Sequence, residues 1–298
     1  MPRAIRPRRR LALAFTGVAV AAGLAACAPT ETGSGTGSSP GLPEGLTVSV
    51  QQGRLDVPQG RLVLHFENTG APVIVTGVEV RSPALEPGMR RDTPFELDAD
   101  DAIDIRLDLT GTVCDGDPGA TEVHVRTRMP DGVDGSGVLV PDDPFGTMTR
   151  IADSDCLAES VAAVAAIRMP ERLRSEGSGT ARRAWIDVRV EPVATGAGTL
   201  RIDGVSATTL LGAEGETDWT LGSDVAAGDP PFTIELAVRP ARCDAHALAD
   251  DKRGTILPFT VATDDGRAGR LDRPSGAALK SDLYAYYAER CGLELPGS

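Results

Sequence analysis

The sequence predicts a mainly-β chain of two tandem antiparallel β-sandwich domains, each with one disulfide, followed by a short C-terminal helix. Three observations predict this fold. Apolar residues alternate with period two in many short segments, the chain contains an internal repeat, and four cysteines fall two to each repeat. The repeat divides the chain into domain 1, residues 46–158, and domain 2, residues 159–298, after an N-terminal segment of different composition.

Period-two alternation marks nine strand candidates that are separated by turn residues such as Asp131-Gly132 and Asp265-Gly266. They are residues 46–50, 62–67, 73–80, 103–109, 122–126, 184–191, 198–202, 232–238 and 256–262. Many short strands with turns at intervals of about 8–15 residues are typical of antiparallel β-sandwiches, and the immunoglobulin-like sandwich is the architecture that they resemble.

The internal repeat is clearest around two Cys-Asp pairs. Residues 104–115 and 233–244 both alternate apolar residues before Cys114-Asp115 and Cys243-Asp244. Upstream, Gly77-Val78 matches Gly204-Val205. Downstream, each repeat continues with a Val-containing segment, an Asp-Gly turn, a proline and a second cysteine. The shared order of these features indicates a tandem duplication.

Cysteine pairing follows from this duplication. Cys114, Cys156, Cys243 and Cys291 allow three pairings, and the repeat selects Cys114–Cys156 and Cys243–Cys291. Each disulfide would close a loop of more than forty residues, which the chain-entropy model values at ~4 kcal/mol as an upper figure. The alternative is a redox or metal site, but the chain has no Cys-x-x-Cys motif and only three histidines.

One helix has a clear apolar stripe. Leu279, Leu283, Tyr286 and Tyr287 recur at helical spacing and predict a helix over residues 277–290, with Gly292 as its stop. Its counterpart in the first repeat, residues 145–155, is expected to be a shorter and less regular helix.

The sequence leaves two alternatives for the secondary structure of residues 157–168. Their alanines favour a helix, whereas the repeat aligns them with the opening strand at residues 46–50 and favours a strand.

The first 26 residues are typical of a secretory signal peptide. Five arginines precede an apolar run from Leu11 to Ala26, which is too short for a comfortable membrane span. The run ends in Leu24-Ala25-Ala26-Cys27, which resembles the lipobox of bacterial lipoproteins. That resemblance implies that Cys27 becomes the mature N-terminus, carries a diacylglyceryl group and acyl chains such as palmitate, and anchors the protein. An ordinary cleaved signal with a chance cysteine is the alternative. Arg8-Arg9-Arg10 leaves the export route open between Sec and Tat.

Residues 27–45 contain the lipidated cysteine and a Gly/Ser/Thr/Pro-rich tether with almost no apolar content. At ~5–6 Å × √n, this tether has a typical reach of roughly 25 Å. The expected location is therefore the extracytoplasmic face of the cell membrane, with the folded domains held close to it.

Charge limits the partner classes. The formal net charge is −13, and removal of the five signal-segment arginines takes it to −18. Such a surface repels nucleic acid and anionic lipid headgroups. The expected partner is an unidentified envelope protein or cell-wall component, and no cofactor is expected.

Catalytic candidates are few, because the chain lacks a Ser-x-x-Lys motif and a zinc-binding His-Glu-x-x-His motif. His65 and His124 occur in the middle of strand candidates, which favours strand-face positions over a general base. His246, in a predicted loop near Asp244, is the best isolated candidate. A cluster of Asp115, Asp244 or His246 in a cleft would indicate a hydrolase.

Two further groups are candidate binding residues. Asp98, Asp100 and Asp101 supply oxygen ligands on a turn and are the calcium candidates, although their spacing does not match an EF-hand. Tyr284, Tyr286 and Tyr287 are the three tyrosines of the chain and form a candidate partner patch. Packing is the alternative for Tyr286 and Tyr287, and Tyr284 is expected to be the exposed one.

These observations rank three functions. The first is a non-catalytic cell-envelope lipoprotein that binds or scaffolds a partner. The second is a solute-binding or transporter-accessory lipoprotein, for which the βαβ rhythm of α/β lobes is missing. The third is an envelope hydrolase with a non-standard site. Ligand identity and oligomeric state do not follow from the sequence.

Overall fold

The computed structural model describes residues 41–249 and 251–293. The predicted signal segment, Cys27 and most of the predicted tether lie outside these ranges. Among the described residues, no helix is both long and apolar enough to cross a membrane.

Domain 1 contains eight strands, whose buried positions alternate along the chain as the period-two pattern predicts. They are β1 (Leu46–Gln51), β2 (Arg61–Asn68), β3 (Val73–Arg81), β4 (Arg90–Arg91), β5 (Phe95–Leu97), β6 (Asp101–Asp108), β7 (Glu122–Arg128) and β8 (Asp134–Leu139).

A long helix, α1 (Thr147–Val164), leads from these strands into domain 2. The remaining elements are β9 (Ala165–Arg168), β10 (Arg174–Glu176), β11 (Arg183–Pro192), β12 (Thr199–Val205), β13 (Leu211–Ala213), β14 (Trp219–Ala226), β15 (Phe232–Pro240), α2 (Ala245–Ala249), β16 (Ile256–Thr263), β17 (Ala268–Pro274) and α3 (Ala277–Cys291).

Each domain is a sandwich of two antiparallel sheets, and the central strand pairs of the sheets correspond between the domains. In domain 1 the sheets are β1-β2-β6 and β4-β3-β7-β8, and β5 also pairs with β3. In domain 2 they are β10-β11-β15-β13, where β9 also pairs with β11, and β14-β12-β16-β17. The central pairs β2–β6 and β3–β7 therefore correspond to β11–β15 and β12–β16. This correspondence confirms the predicted tandem immunoglobulin-like sandwiches.

A β-bulge occurs at the matching place in both domains. The register of β3 against β7 shifts between Val75 and Gly77, and that of β12 against β16 shifts between Ile202 and Gly204. A side chain at Gly204 would lie 2.4 Å from the carbonyl oxygen of Trp219, so the close approach of β14 requires glycine there. The Gly77/Gly204 match in the sequence thus marks a shared backbone feature.

All nine strand candidates correspond to observed strands, and the C-terminal helix is confirmed as α3, which Gly292 ends in the left-handed conformation. Three substantial strands were not predicted: β8, β14 and β17. Each is interrupted by glycine or charged residues, for example Gly135 and Gly137 in β8, which obscure the alternation. All three lie at sheet edges, where one side of the strand has no neighbour in its sheet.

Both predicted disulfides are confirmed. Cys114–Cys156 joins the segment after β6 to the middle of α1, with a Cα–Cα distance of 5.5 Å. Cys243–Cys291 joins the segment after β15 to the end of α3, with a Cα–Cα distance of 5.2 Å. In each domain the bond fixes a helix against the strand that precedes the first cysteine.

Helix α1 corrects two expectations. It is longer than α3, not shorter, and it continues through residues 157–164, for which the strand prediction is wrong; only residues 165–168 form the predicted strand, as β9. The domain boundary expected near residue 158 falls inside this helix. The reason lies in packing: Met148 and Ile151 enter the domain 1 core, whereas the second half of α1 enters the domain 2 core.

Residues of the second half, Leu157, Val161 and Val164, follow one another at i, i+4 and i+7 and are all buried in domain 2. Each half therefore carries its own short apolar stripe. The two domains belong to one compact unit, and α1 is common to both cores.

Polar contacts fix the ends and the middle of α1. At its start, the Asp143 carboxylate accepts hydrogen bonds from the backbone N–H groups of Thr147 (2.6 Å) and Met148 (2.9 Å), where a negative charge is favourable. Further along, the Ser160 hydroxyl contacts the Asp265 carboxylate (2.6 Å) and the Thr263 hydroxyl (2.8 Å) at the β16–β17 turn.

The same turn reaches domain 1, since Arg267 donates to the carbonyl oxygen of Cys114 at 3.4 Å. The hydrogen bonds from Ser160, from Thr263 and from the backbone of Arg267 lower the pKa of Asp265 to about 2. The midpoint of α1 is therefore where the first disulfide and the β16–β17 turn meet.

Replacement of Ser160 by alanine removes its hydrogen bond to the Asp265 carboxylate. We expect Ser160→Ala to lower the free energy of unfolding by about 1 kcal/mol, the usual net contribution of one hydrogen bond. Equilibrium urea unfolding measures this change. The matched control is Ser154→Ala, at an exposed position of the same helix, which should be neutral or slightly stabilising. Equal stabilities of the two variants would contradict the proposed role of Ser160.

Candidate functional site

A row of three polar side chains crosses the first sheet of domain 1. Ser49 on β1 lies directly opposite His65 on β2, and His65 lies directly opposite Asp104 on β6. Directly opposed residues of antiparallel strands point to the same side of the sheet, here its outer face. The row borders an open groove of about 490 Å³, whose lining also includes Thr47, Glu67, Asp142, Asp143 and Pro144.

The hydrogen bonds of His65 determine what this row can do. Its Nδ1 lies 2.8 Å from Asp104 Oδ1, and its Nε2 lies 3.2 Å from Glu67 Oε1. A ring with a carboxylate at each nitrogen donates from both and is favoured in its protonated form. The hydrogen bond to Asp104 is the largest cause of the raised pKa of His65, and the one to Glu67 adds to it against the effect of burial.

This geometry does not provide a catalytic base. A serine nucleophile needs an unprotonated ring nitrogen facing its hydroxyl, whereas Nε2 of His65 faces Glu67. The row therefore acts as a cross-strand ion pair on the sheet surface. It agrees with the interpretation of His65 as a strand-face residue, and only the strand register reveals its alignment with Ser49 and Asp104.

The other two histidines also lie on surfaces. His124 on β7 contacts Glu122 on the same strand, with Nε2 3.1 Å from the Glu122 carboxylate. The side chain of His246 in α2 is 92% exposed, and its ring lies 3.5 Å from Asp244. A backbone hydrogen bond from His246 is the main cause of the lowered pKa of Asp244. These contacts belong to the start of an exposed helix, so Asp244 and His246 do not form a site in a cleft.

The calcium candidates do not converge. Asp100 adopts a left-handed backbone conformation with φ of 60°, and the Asp101 carboxylate accepts a hydrogen bond from the backbone of Ala102 at 2.8 Å. Across residues 41–249 and 251–293, no three His, Cys, Asp or Glu side chains come together as metal ligands. Asp98 and Asp100 thus lie in the connection before β6, and Asp101 is the first residue of that strand.

The tyrosine patch requires a correction. Tyr286 and Tyr287 are fully buried, and their hydroxyl groups bond to the backbone around the second disulfide. The Tyr286 hydroxyl donates to the carbonyl oxygen of Val238 at 2.7 Å, and the Tyr287 hydroxyl donates to that of Arg242. Tyr284, expected to be exposed, is half-buried and donates to Asp251 at 2.8 Å. Helical periodicity located the stripe correctly, but Tyr286 and Tyr287 fix α3 to domain 2 and are not exposed to a partner.

Comparisons with known proteins give no family. No family model matches the chain, and no curated protein matches it. Solved structures that match include the crystal structure of red sea bream transglutaminase (12% identity, 76% of this chain and 29% of that chain, TM-score 0.24). They also include the YadV chaperone (13% identity, 73% and 94%, TM-score 0.19) and the BSP domain of a biofilm-associated protein (10% identity, 79% and 59%, TM-score 0.18). The chain spans less than a third of the transglutaminase.

The raised pKa of His65 makes its stabilising contribution depend on pH. A group whose folded-state pKa is raised stabilises the fold fully below its unfolded pKa, about 6.5 for histidine, and loses that contribution as pH rises through the folded value. We expect the difference in melting temperature between the unmodified chain and His65→Gln to be largest near pH 5 (about one and a half units below the unfolded pKa) and to shrink above neutrality. The control is His246→Gln, at an exposed position of α2. A pH-independent difference for His65→Gln would contradict the ion-pair assignment.

The two tyrosine environments predict unequal costs of hydroxyl removal. Tyr286→Phe leaves the buried carbonyl oxygen of Val238 without this donor, so we expect a loss of about 1–2 kcal/mol in the free energy of unfolding. Tyr284→Phe removes a partly solvated hydrogen bond and should cost about 0.5 kcal/mol or less. Urea unfolding of both variants measures the contrast, and a larger cost at Tyr284 would refute the assigned burial.

Proposed function

We propose that the chain is a non-catalytic bacterial cell-envelope lipoprotein, held at the extracytoplasmic face of the membrane by lipid on Cys27. Its two sandwich domains then form one binding or scaffolding unit. The observation that carries the export part is the pair of intradomain disulfides, because such bonds form and persist in oxidising compartments. The Leu24-Ala25-Ala26-Cys27 motif at the end of an apolar segment supports the lipid anchor.

The arrangement of the domains supports a scaffolding role. Because α1 is buried in both cores, the domains are joined by a continuous helix instead of a flexible linker. A binding surface on one domain therefore keeps a fixed orientation relative to the other. Such rigidity reduces the ordering cost when an extended surface engages a partner.

The competing functions have less support. A solute-binding lipoprotein of the transporter type needs two α/β lobes that enclose a ligand, and the sheets described here are antiparallel. The Ser49–His65–Asp104 row has the residue types of a hydrolase site. With both ring nitrogens of His65 facing carboxylates, that row is set up for ion pairing.

Intact mass of the membrane-extracted protein tests this proposal, measured before and after reduction and thiol alkylation. We expect a diacylglyceryl and acyl adduct on Cys27 in a chain that begins at that residue. Four further thiols should become reactive only after reduction, since all four cysteines of the domains are disulfide-bonded.

A Cys27→Ser variant is the control for the anchor. It should leave the membrane fraction while keeping both disulfides, because Cys27 takes no part in either bond. An unlipidated protein that still partitions with the membrane would overturn the anchor. Free thiols at Cys114 or Cys156 in the extracted protein would overturn the assigned compartment.

A further inference from the structure

A second groove on the outer face of domain 1 combines an exposed aromatic ring with arginines. It has a volume of about 450 Å³ and runs between the sheet β1-β2-β6 and the start of α1. Val63, only 2% exposed although it lies on the outer side of β2, lines this groove. Phe145 lines it from the β8–α1 connection and is 71% exposed. We call this feature the Phe145 groove.

Phe145 is not the only apolar side chain exposed in this part of domain 1. Leu55 and Val57 are also exposed, and they flank Asp56, which itself lines the groove. Large exposed apolar side chains that cluster beside a groove are a usual mark of an interaction surface. An aromatic side chain at such a position is the residue type that most often anchors a partner.

The accessible charge of the groove is positive. Arg106 and Arg150 line it, and Arg150 is exposed in the first turns of α1. The side chain of Asp56 is only 6% exposed and accepts hydrogen bonds from Arg61 (3.0 Å) and Arg106 (3.2 Å), so its charge is compensated internally. Asp104, the other acid in the lining, is hydrogen-bonded to His65. With Arg61 counted, three arginines face two acids at this groove, on a chain whose net charge is −13.

The same face of domain 2 can be compared with the Phe145 groove. By strand register, Val63 on β2 corresponds to Asp187 on β11, and Arg106 on β6 corresponds to Glu235 on β15. Val63 pairs with Arg106 across β2 and β6, and Asp187 pairs with Glu235 across β11 and β15. In domain 2, Arg174 closes this face by binding both oxygens of Asp187 (2.7 and 2.8 Å) and Glu235 (3.1 Å). The apolar and cationic character is therefore specific to domain 1.

From these observations we propose that the Phe145 groove binds an acidic protein segment, with a carboxylate held by Arg106 and Arg150 and an adjacent apolar side chain packed on Phe145. Guanidinium groups hold carboxylates through paired hydrogen bonds, which gives both affinity and orientation. An anionic membrane would meet the acidic remainder of the surface as well as the groove and would be repelled. A short acidic segment meets only the groove.

This inference specifies the chemistry of the partner for the binding role proposed above, and it rests on that role alone. It does not require lipid on Cys27. Binding assays on the lipidated chain and on the Cys27→Ser chain therefore separate the two ideas. Failure of lipidation leaves the groove intact, and failure of binding in both forms removes only the groove.

Fluorescence anisotropy with labelled peptides tests the groove in the full chain. The probe is a short peptide of alternating Glu and Leu, and its control carries Gln in place of each Glu. We expect the acidic peptide to bind, to weaken as NaCl is raised, and to bind at least about fivefold more weakly to Phe145→Ala and to Arg150→Ala. The Gln peptide should bind more weakly than the acidic peptide to the unmodified chain.

Two variants serve as matched controls. Val140→Ala removes another exposed apolar side chain, and Arg189→Ala removes an exposed arginine from domain 2; neither residue is among those lining the groove. Both should bind the acidic peptide as the unmodified chain does. Equal binding to all four variants, or no binding at all, would overturn the proposal. Capture of phosphatidylglycerol vesicles that is lost in Phe145→Ala, without peptide binding, would overturn it in favour of a lipid surface.

Discussion

The burial of one helix in two hydrophobic cores is the interaction on which the rest of the structure depends. Met148 and Ile151 fill domain 1, and Leu157, Val161 and Val164 fill domain 2, within the single helix α1. Burial of each such side chain contributes about 1.5–3 kcal/mol. Neither domain therefore has a complete core without its part of α1. The Cys114–Cys156 disulfide and the Ser160–Asp265 contact both act on the middle of this helix, where a bend would separate the two halves.

The two domains share a common frame, and they differ on their outer faces. The sheets, the bulges at Gly77 and Gly204 and the disulfides are common to both, because they depend on backbone register and on core packing. Outer-face residues are free of those constraints. On equivalent strands, domain 1 carries Val63 and Arg106, whereas domain 2 carries Asp187 and Glu235 and neutralises them with Arg174. The two domains can therefore acquire different binding properties on their outer faces while they keep the same strand pairing and core.

The sequence predicts the parts of the fold that depend on local periodicity. Alternation locates nine strands, and the spacing of Leu279, Leu283, Tyr286 and Tyr287 locates α3, since in both cases one element faces one core. Periodicity does not predict that α1 continues past Cys156, because the apolar residues of this helix are divided between two cores. It does not predict the Phe145 groove either, because Val63, Arg106 and Phe145 come from three separate segments. These three residues come together only through the pairing of β2 with β6 and the course of the β8–α1 connection.

The course of β1 places the groove relative to the point where the chain enters domain 1. The chain enters domain 1 at Leu46, and β1 ends at Gln51, which lines the Phe145 groove. Five strand rises of about 3.4 Å separate these points by roughly 17 Å. The groove therefore lies at the end of β1 remote from the point where the chain enters domain 1. An acidic segment bound in the groove would then approach domain 1 from the side remote from this entry point. The entry of the chain and the proposed binding surface thus lie at opposite ends of the same strand.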